Sequence, residues 1–247
     1  MKFQYLKYHS LDIDKQKEWK TRIFELALDA VPHLKREQFD AFFFNEQLDT
    51  LTYFTIENKD KKLLAFFCGY YQIVHINNRK NYVYNSRIIV SPHYQGNSLF
   101  IETFIAQFKA FGTLALRKGG YWVSNMVNPI SYHGIASACK KVYPRLDTPL
   151  TPEIIQIIEA VAAINHYQLA KAKDIVKITS GFPPKYSKEQ IEKIYRSDKP
   201  HIKYFLEQGI DFLNGEGIPV VVPYSFENIF LTVLGALKKR IILAFKK

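Results

Sequence analysis

The segment from Val90 to Leu99, VSPHYQGNSL, joins a strongly apolar run to an apolar helical pattern through a turn of small residues. Apolar residues recur at helical spacing after Ser98, and Gly112 follows as a stop signal. Peptide N–H groups in such a turn, added to the unpaired N–H groups and positive dipole of the following helix, can bind a phosphate. The segment therefore predicts a strand–loop–helix unit that binds an anion. The alternative is a plain strand-to-helix turn, in which Gly96 gives backbone freedom and Ser98 caps the helix.

The residues around this loop predict a specific order of elements. Aromatic and β-branched residues dominate three preceding runs, Leu51 to Glu57, Leu63 to Ile76 and Tyr82 to Val90, which short polar turns separate. We expect these runs to form a meander of antiparallel strands. Further elements are a strand at Phe3 to Tyr8, helices at Asp14 to Val31 and Leu34 to Phe44, a strand at Tyr121 to Val127, and a helix capped by Asn128 that runs to about Val142.

The loop resembles the pyrophosphate loop of the GNAT superfamily of acyl-CoA N-acyltransferases. In that family a strand ending in Val-x-Pro-x-Tyr-Arg-Gly-x-Gly-hydrophobic leads into a helix over the coenzyme A diphosphate. This chain differs from the family at two positions. His93, three residues before the first Gly, stands where the family has a signature Arg or Gln, and Ser98 stands where it has Gly or Ala. The order of elements is also similar, so the resemblance covers roughly residues 1–145.

The resemblance implies an α/β (α+β) fold: a GNAT-like mixed, mostly antiparallel twisted sheet flanked by helices, with extra C-terminal helices. Residues 1–145 would be the core that binds acyl-CoA. Residues 146–247 would be a helix-rich extension that completes the sheet and is integral to one domain, because no long Gly/Ser or charged linker separates the halves. Two runs, Ile175 to Thr179 and Ile218 to Val222, are the candidates for the closing strands.

The implied activity is N-acyl transfer from acetyl-CoA or another acyl-CoA, without a metal, to a small-molecule or peptide amine that attacks the thioester directly. The residues that the resemblance assigns to the cosubstrate are Ile89, Val90, Tyr94, Gln95, Gly96, Asn97, Ser98, Leu99 and Asn128. Asn128 is included because residues 128–131 resemble the family's Asn-x-x-Ala segment, whose Asn contacts the pantetheine arm.

The catalytic groups are harder to assign, because residues 61–101 contain no Asp or Glu where the family often places a carboxylate base. Substitutes would be Glu57, Glu102, His75, His93 or a bound water. The family's frequent Tyr acid corresponds to Ile135, so Tyr132 or His133 would act one turn earlier; helix capping and packing are the alternative roles for both. The fourth strand offers Tyr82, Tyr84, Asn85 and Arg87 to the acceptor cleft, with Arg87 suited to an anionic group.

The net charge of +11 is spread over the chain, with an excess of +7 in residues 1–150 (20 basic, 13 acidic) and +4 in residues 151–247 (14 basic, 10 acidic). Such a field attracts coenzyme A, but also nucleic acid or an anionic membrane. With 15% aromatic residues the composition also suits a single-strand binder. Two alternatives to an enzyme therefore stay open: a catalytically inactive acyl-CoA-binding protein and a basic nucleic-acid-binding protein.

The remaining features predict an ordinary cytoplasmic protein without a transmembrane segment or a secretory signal. The two cysteines, Cys68 and Cys139, form neither a disulfide framework nor a metal site. The last helix, after Ser225, combines an apolar face with several Lys residues. It could lie on an anionic membrane, pack onto its own domain, or join two chains in a homodimer.

Overall fold

A computed structural model describes residues 2–6, 8–44, 52–94, 110–179, 182–232 and 234. Its centre is an eight-stranded sheet in the order β1-β2-β3-β4-β5-β8-β7-β6. The strands are β1 Lys2–Leu6, β2 Thr52–Glu57, β3 Leu63–Ile76, β4 Arg79–Val90, β5 Tyr121–Met126, β6 Gln168–Lys171, β7 Val176–Thr179 and β8 Glu216–Pro223. Neighbouring strands are antiparallel except for β4 and β5, which are parallel. The predicted mixed, mostly antiparallel sheet is thus confirmed.

Helices cover both faces of this sheet. They are α1 Ile13–Ala30, α2 Arg36–Phe43, α3 Pro129–Ala138, α4 Pro152–Asn165, α5 Lys188–Tyr195 and α6 Pro200–Glu207. Residues 110–118 and 226–232 are also helical. None of the helices in the described ranges is long and apolar enough to cross a bilayer.

The two faces of the sheet have separate cores. On one, called here the α1 face, α1 and α2 pack on residues such as Phe66 and Ile89, and α4 packs on Val83 and Val123. On the other, the α3 face, α3, α6 and residues 110–118 pack on Tyr84 and the residues around it. Because side chains alternate along a strand, even and odd residues of β4 belong to different cores.

Local sequence signals explain most element boundaries. Asn128 accepts hydrogen bonds from the N–H groups of Ile130 and Ser131, at 2.8 and 3.4 Å, and so caps α3 as predicted. The meander is confirmed, but β4 begins at Arg79 and not at Tyr82. Asn77 and Asn78, with φ of 49° and 60°, form a two-residue turn between β3 and β4.

Four further predicted boundaries were wrong. The helix that Gly112 was expected to stop continues to residue 118. The first strand ends at Leu6, and a 3-10 turn occupies Tyr8–Ser10. Helix α3 ends at Ala138, four residues before Val142, because Tyr143 exchanges backbone hydrogen bonds with Val221 of β8. The residues from about Pro200 to Leu213 predict one helix, but this helix ends at Glu207, close to Gly209 with its left-handed φ of 70°.

The second half of the chain contributes strands to the same sheet. Strand β8 pairs with β5 from Tyr121↔Pro223 to Met126↔Ile218, and β7 pairs with β8. These two strands overlap the runs expected to close the sheet. Strand β6, which the sequence analysis did not identify, extends the edge beyond β7.

Candidate functional site

Strands β4 and β5 separate in the middle of the sheet. Their parallel pairing covers three residue pairs and ends at Asn85↔Val123. Strand β4 continues to Val90 and remains paired with β3 over that stretch, while β5 continues to Met126 and remains paired with β8. An opening therefore lies between two strands that are each held on their outer side.

Peptide groups from both strands point into this opening. The N–H of Ser91 donates to Leu64 O on the β3 side. Since successive peptide groups of a strand alternate in direction, those of Ile88 and Val90 face β5. On β5, the peptide groups of Asn125 face β4, because Tyr224 N–H donates to Gly120 O on the β8 side. No described strand pairs with Ile88 or Val90 along this edge.

On the α3 face, side chains seal the point where the strands separate. Ser86 Oγ accepts a hydrogen bond from Trp122 Nε1 at 3.0 Å. Ser124 Oγ donates to Ser86 O at 3.1 Å, which satisfies a carbonyl that the departing strand no longer reaches. All three residues are buried, and we call this set the Ser86 seam.

On the α1 face, Arg87 lies two residues past Asn85, the last residue of β4 that pairs with β5, and is 7% exposed. Its Nη2 donates to Tyr70 OH at 3.2 Å and to Asn165 Oδ1, which also accepts from Tyr70 OH. The guanidinium carbon lies 4.0 Å from the ring centre of Phe42. Tyr167 shares a side-chain hydrogen bond with Arg87. We call Tyr70, Arg87, Asn165, Tyr167 and Phe42 the Arg87 cluster.

Burial dominates the electrostatics of this cluster. It raises the pKa of the Tyr70 hydroxyl, so this group stays neutral. It also raises the pKa of the Cys68 thiol, directly across from Arg87, to about 12. Cys68 is therefore an unreactive buried thiol at neutral pH, despite the adjacent cation.

The structure brings some predicted residues to the opening and leaves others elsewhere. Asn85, Arg87, Ile89 and Val90 lie beside it on β4. Tyr84 packs in the α3-face core, with its hydroxyl 3.4 Å from Gly119 O and its ring 4.7 Å from that of Tyr224. Tyr82 lies two residues earlier, under Lys80.

The histidine and glutamate candidates are scattered. His75 is exposed and pairs with Lys80, six residues before Ser86, so it lies about 20 Å along the strand from the opening. His93 is exposed in the 3-10 turn after β4, which also contains Tyr94. Glu57 is buried and forms an ion pair of 2.6 Å with Arg22. Glu102 and residues 95–99 lie outside the described residues.

The α3 candidates belong to a packed surface. Tyr132 is fully buried and donates to Pro144 O at 2.9 Å. His133 Nδ1 lies 3.2 Å from Ser137 Oγ, and its ring centre is 5.9 Å from that of His201 on α6. These contacts give both residues a role in packing α3 against the rest of the α3 face.

Several residues of the site were missed by sequence reasoning. Tyr70 and Trp122 read as ordinary strand aromatics, and Ser86 and Ser124 as ordinary alternating polar positions. Asn165 and Tyr167 lie more than 75 residues from Arg87 in sequence, so no local pattern connects them. The feature that locates this site is the separation of β4 and β5, which is visible only in the register of the sheet.

No family model and no curated relative matches the sequence. Several solved structures are similar to this chain. The NatC complex bound to Gag peptide and CoA is 10% identical, with 90% of this chain and 99% of that chain covered and a TM-score of 0.38. Chaetomium thermophilum Naa20 with a bisubstrate analogue is 8% identical, with 59% and 75% covered and a TM-score of 0.36.

A conserved protein of unknown function from Enterococcus faecalis V583, described as a candidate N-acyltransferase, is 12% identical with a TM-score of 0.37. The match covers 55% of this chain and 32% of the Enterococcus protein, so this chain spans about a third of that protein's length. Because these identities and scores are low, the fold assignment rests on the strand order and the single parallel pair. The mostly antiparallel sheet with one parallel pair is GNAT-like, as the resemblance implied.

Proposed function

We propose that this chain is an acyl-CoA-dependent N-acyltransferase, which transfers an acyl group, acetyl in the simplest case, to an amine. The observation that carries the proposal is the opening between β4 and β5, along which no described strand pairs with the peptide groups of Ile88 and Val90. In the GNAT superfamily, which the chain resembles, the pantetheine arm enters at this point.

The opening suits a ligand that contains amides. The pantetheine arm carries two amide groups, and an extended chain with amides can add to an unpaired strand edge as a further strand would. The 3-10 turn Pro92–Tyr94 follows β4 directly, and residues 95–99 come next in the sequence. We assign these loop residues and Tyr94 to the diphosphate. The Oδ1 of Asn128 caps α3, so we assign its Nδ2 to the pantetheine arm.

The Arg87 cluster supports amine chemistry without a carboxylate base. An amine nucleophile must lose its proton, and a nearby positive charge lowers the pKa of an ammonium group by repulsion. Arg87 supplies such a field beside the opening. The proton then passes to water or to Glu102. The amine attacks the thioester carbonyl, and coenzyme A leaves as the thiol.

The C-terminal half has a direct part in this site. Asn165, at the end of α4, and Tyr167 contact Arg87 from outside residues 1–145. We therefore assign residues 146–247 to the acceptor side of the same domain and to the completion of the sheet.

The test is binding followed by turnover, on the full chain. Coenzyme A and acetyl-CoA should raise the melting temperature in a concentration-dependent way, as any ligand of the folded state does. Acetyl-CoA with a panel of primary amines should release free thiol, detected with a thiol reagent. ATP at the same concentration is the control for general attraction of phosphates by the charge of +11.

The outcomes separate the three functions. Stabilisation with turnover supports the enzyme. Stabilisation by coenzyme A without release of thiol for any amine would support the inactive acyl-CoA binder. If coenzyme A does not stabilise the chain and a labelled single-stranded oligonucleotide binds with steep salt dependence, the protein is a nucleic-acid binder and the acyltransferase proposal is wrong.

A further inference from the structure

Two charged residues are buried among those that the structure describes, Glu57 and Arg87. Glu57 has a counter-charge, the guanidinium of Arg22 at 2.6 Å. Arg87 has none among the described residues: its hydrogen-bond partners are the neutral groups of Tyr70, Asn165 and Tyr167. A buried ion without a counter-ion is strongly unfavourable, and the cation–π contact with Phe42 offsets only part of this.

The hydrogen-bonding capacity of the cluster is also incomplete. Arg87 Nε is buried without a partner, and so is Nδ2 of Asn85, which is 4% exposed. Both residues are odd-numbered positions of β4 and project from the α1 face. Buried donors are almost always satisfied, so two unsatisfied donors on adjacent positions of one face indicate a missing acceptor.

The position of these donors connects them to the opening. Asn85 is the last residue of β4 that pairs with β5, and Arg87 is the next residue on that face. Helix α2 supplies Phe42 on one side and the end of α4 supplies Asn165 on the other. A group bound there lies beside the site where the amine and the thioester would meet.

We propose that Arg87, assisted by Asn85, binds a carboxylate carried by one of the two substrates. This rests on the proposed function, and it names the substrate class. The carboxylate belongs either to the acceptor, which is then an amino acid or a similar amino-carboxylate, or to the acyl group of a dicarboxylic acyl-CoA. A guanidinium matches a carboxylate in geometry through Nε and Nη, and the carboxylate supplies both the missing charge and the missing acceptor.

The experiment compares ligands that differ only in this charge, on the full chain. One arm measures melting-temperature shifts, and the dissociation constants derived from them, for a set of N-acetyl-amino acids, each against its own carboxamide. The other arm compares succinyl-CoA with butyryl-CoA, a neutral acyl-CoA with the same number of acyl carbons. In one arm the acid should bind at least about tenfold more tightly than its neutral counterpart, because a charge-assisted bidentate contact is gained. The arm in which the acid binds more tightly shows whether the acceptor or the acyl group carries the carboxylate.

Variants of Arg87 test whether this residue causes the tighter binding of the acid. Arg87→Met should reduce the acid-to-neutral ratio to about one, and Arg87→Lys should retain part of it, because the charge remains and the planar geometry is lost. The matched control is Arg79→Met, an exposed arginine at the start of the same strand, which should bind like the natural chain.

Failure of this inference is distinct from failure of the proposed function. If coenzyme A stabilises the chain but neither arm discriminates, or discrimination survives Arg87→Met, the carboxylate site is wrong and the acyltransferase stands. If coenzyme A has no effect while N-acetyl-amino acids bind tenfold better than their amides, the Arg87 site stands and the acyltransferase is wrong. Because the acid and neutral pairs are compared first on the natural sequence, poor folding of a variant leaves the main result intact.

Discussion

Strand β4 has two edges that the fold treats differently. One edge pairs with β3 over all twelve residues, and the other pairs with β5 over three. The stretch that β5 leaves is not a frayed end, because its β3 edge keeps the full ladder. The contrast teaches that a strand held on one side can present the other as a fixed row of donors and acceptors.

The two faces at this point differ as well. On the α3 face the Ser86 seam satisfies the groups exposed by the separation of the strands. On the α1 face Arg87 and Asn85 keep unsatisfied donors. We interpret the satisfied face as structural and the unsatisfied face as the one where a ligand binds.

The largest effect should come from proline substitutions on the two edges of β4. Ile89→Pro removes an N–H of the β3 ladder and a buried side chain, so it should cost about 3 kcal/mol or more of the free energy of unfolding. Ile88→Pro removes an N–H that faces the opening, at a position 42% exposed, and should cost about 1 kcal/mol or less. Urea unfolding measures both values.

Two variants of Ile88 also test whether this edge of β4 binds coenzyme A. Ile88→Pro should lose the stabilisation by coenzyme A, whereas the control Ile88→Val, which keeps the N–H, should retain it. Equal stabilisation of the two Ile88 variants would mean that this peptide group does not contact the ligand.

A smaller effect is expected from the Ser86 seam. Ser86→Ala leaves Trp122 Nε1–H buried without an acceptor and should cost about 1–3 kcal/mol in urea unfolding. Adding Trp122→Phe should recover part of that loss, because the unsatisfied donor is then absent. Ser137→Ala, at an exposed position of α3, is the control and should be nearly neutral. Simple additivity of the two seam substitutions would contradict the pairing.

Arg87→Met should differ from the other substitutions, because it should not lower the free energy of unfolding. The free energy of unfolding should stay the same or rise by about 1 kcal/mol, because a buried charge without a counter-ion is replaced by an apolar chain of similar length. Tyr70 and Asn165 keep their own hydrogen bond in this variant. A loss of more than about 2 kcal/mol in urea unfolding would show that the cation is already compensated.

The smallest effect concerns pH and the packing of α6 on α3. Burial lowers the pKa of His133 and of His201 below the ordinary 6.5. The unfolded chain then binds more protons, so stability should fall as the pH drops through about 6.5. Both rings keep contact with solvent, so the loss should be below about 1 kcal/mol. His133→Gln with His201→Gln should flatten the dependence between pH 7.5 and 5.5, while the exposed His75→Gln should not.

Much of the fold could be predicted from local patterns. Alternating apolar runs with polar turns predicted the meander, and Asn128 predicted a helix start that its capping hydrogen bonds now explain. These signals work because they depend on residues within four positions of each other. Boundaries that depended on distant contacts were wrong, such as the end of α3, which Val221 determines.

The candidate site was only partly predictable. Arg87 and Asn85 could be named as residues of the fourth strand, but their burial and missing partners could not. Residues 95–99 and Glu102 stay predictions, as do the catalytic assignments of Tyr132, His133 and His75. Asn165 was not identified, because its contact with Arg87 spans 78 residues of sequence.

The sequence by itself determined most strands and helices in their chain order and the lack of carboxylates from residue 61 to 101, since each is a property of neighbouring residues. Only the tertiary structure decided where β4 and β5 separate and which face keeps an unpaired cation. Both depend on the register of strands that meet from distant parts of the chain. Register is set by the whole core, because moving a strand by one residue would exchange its two faces.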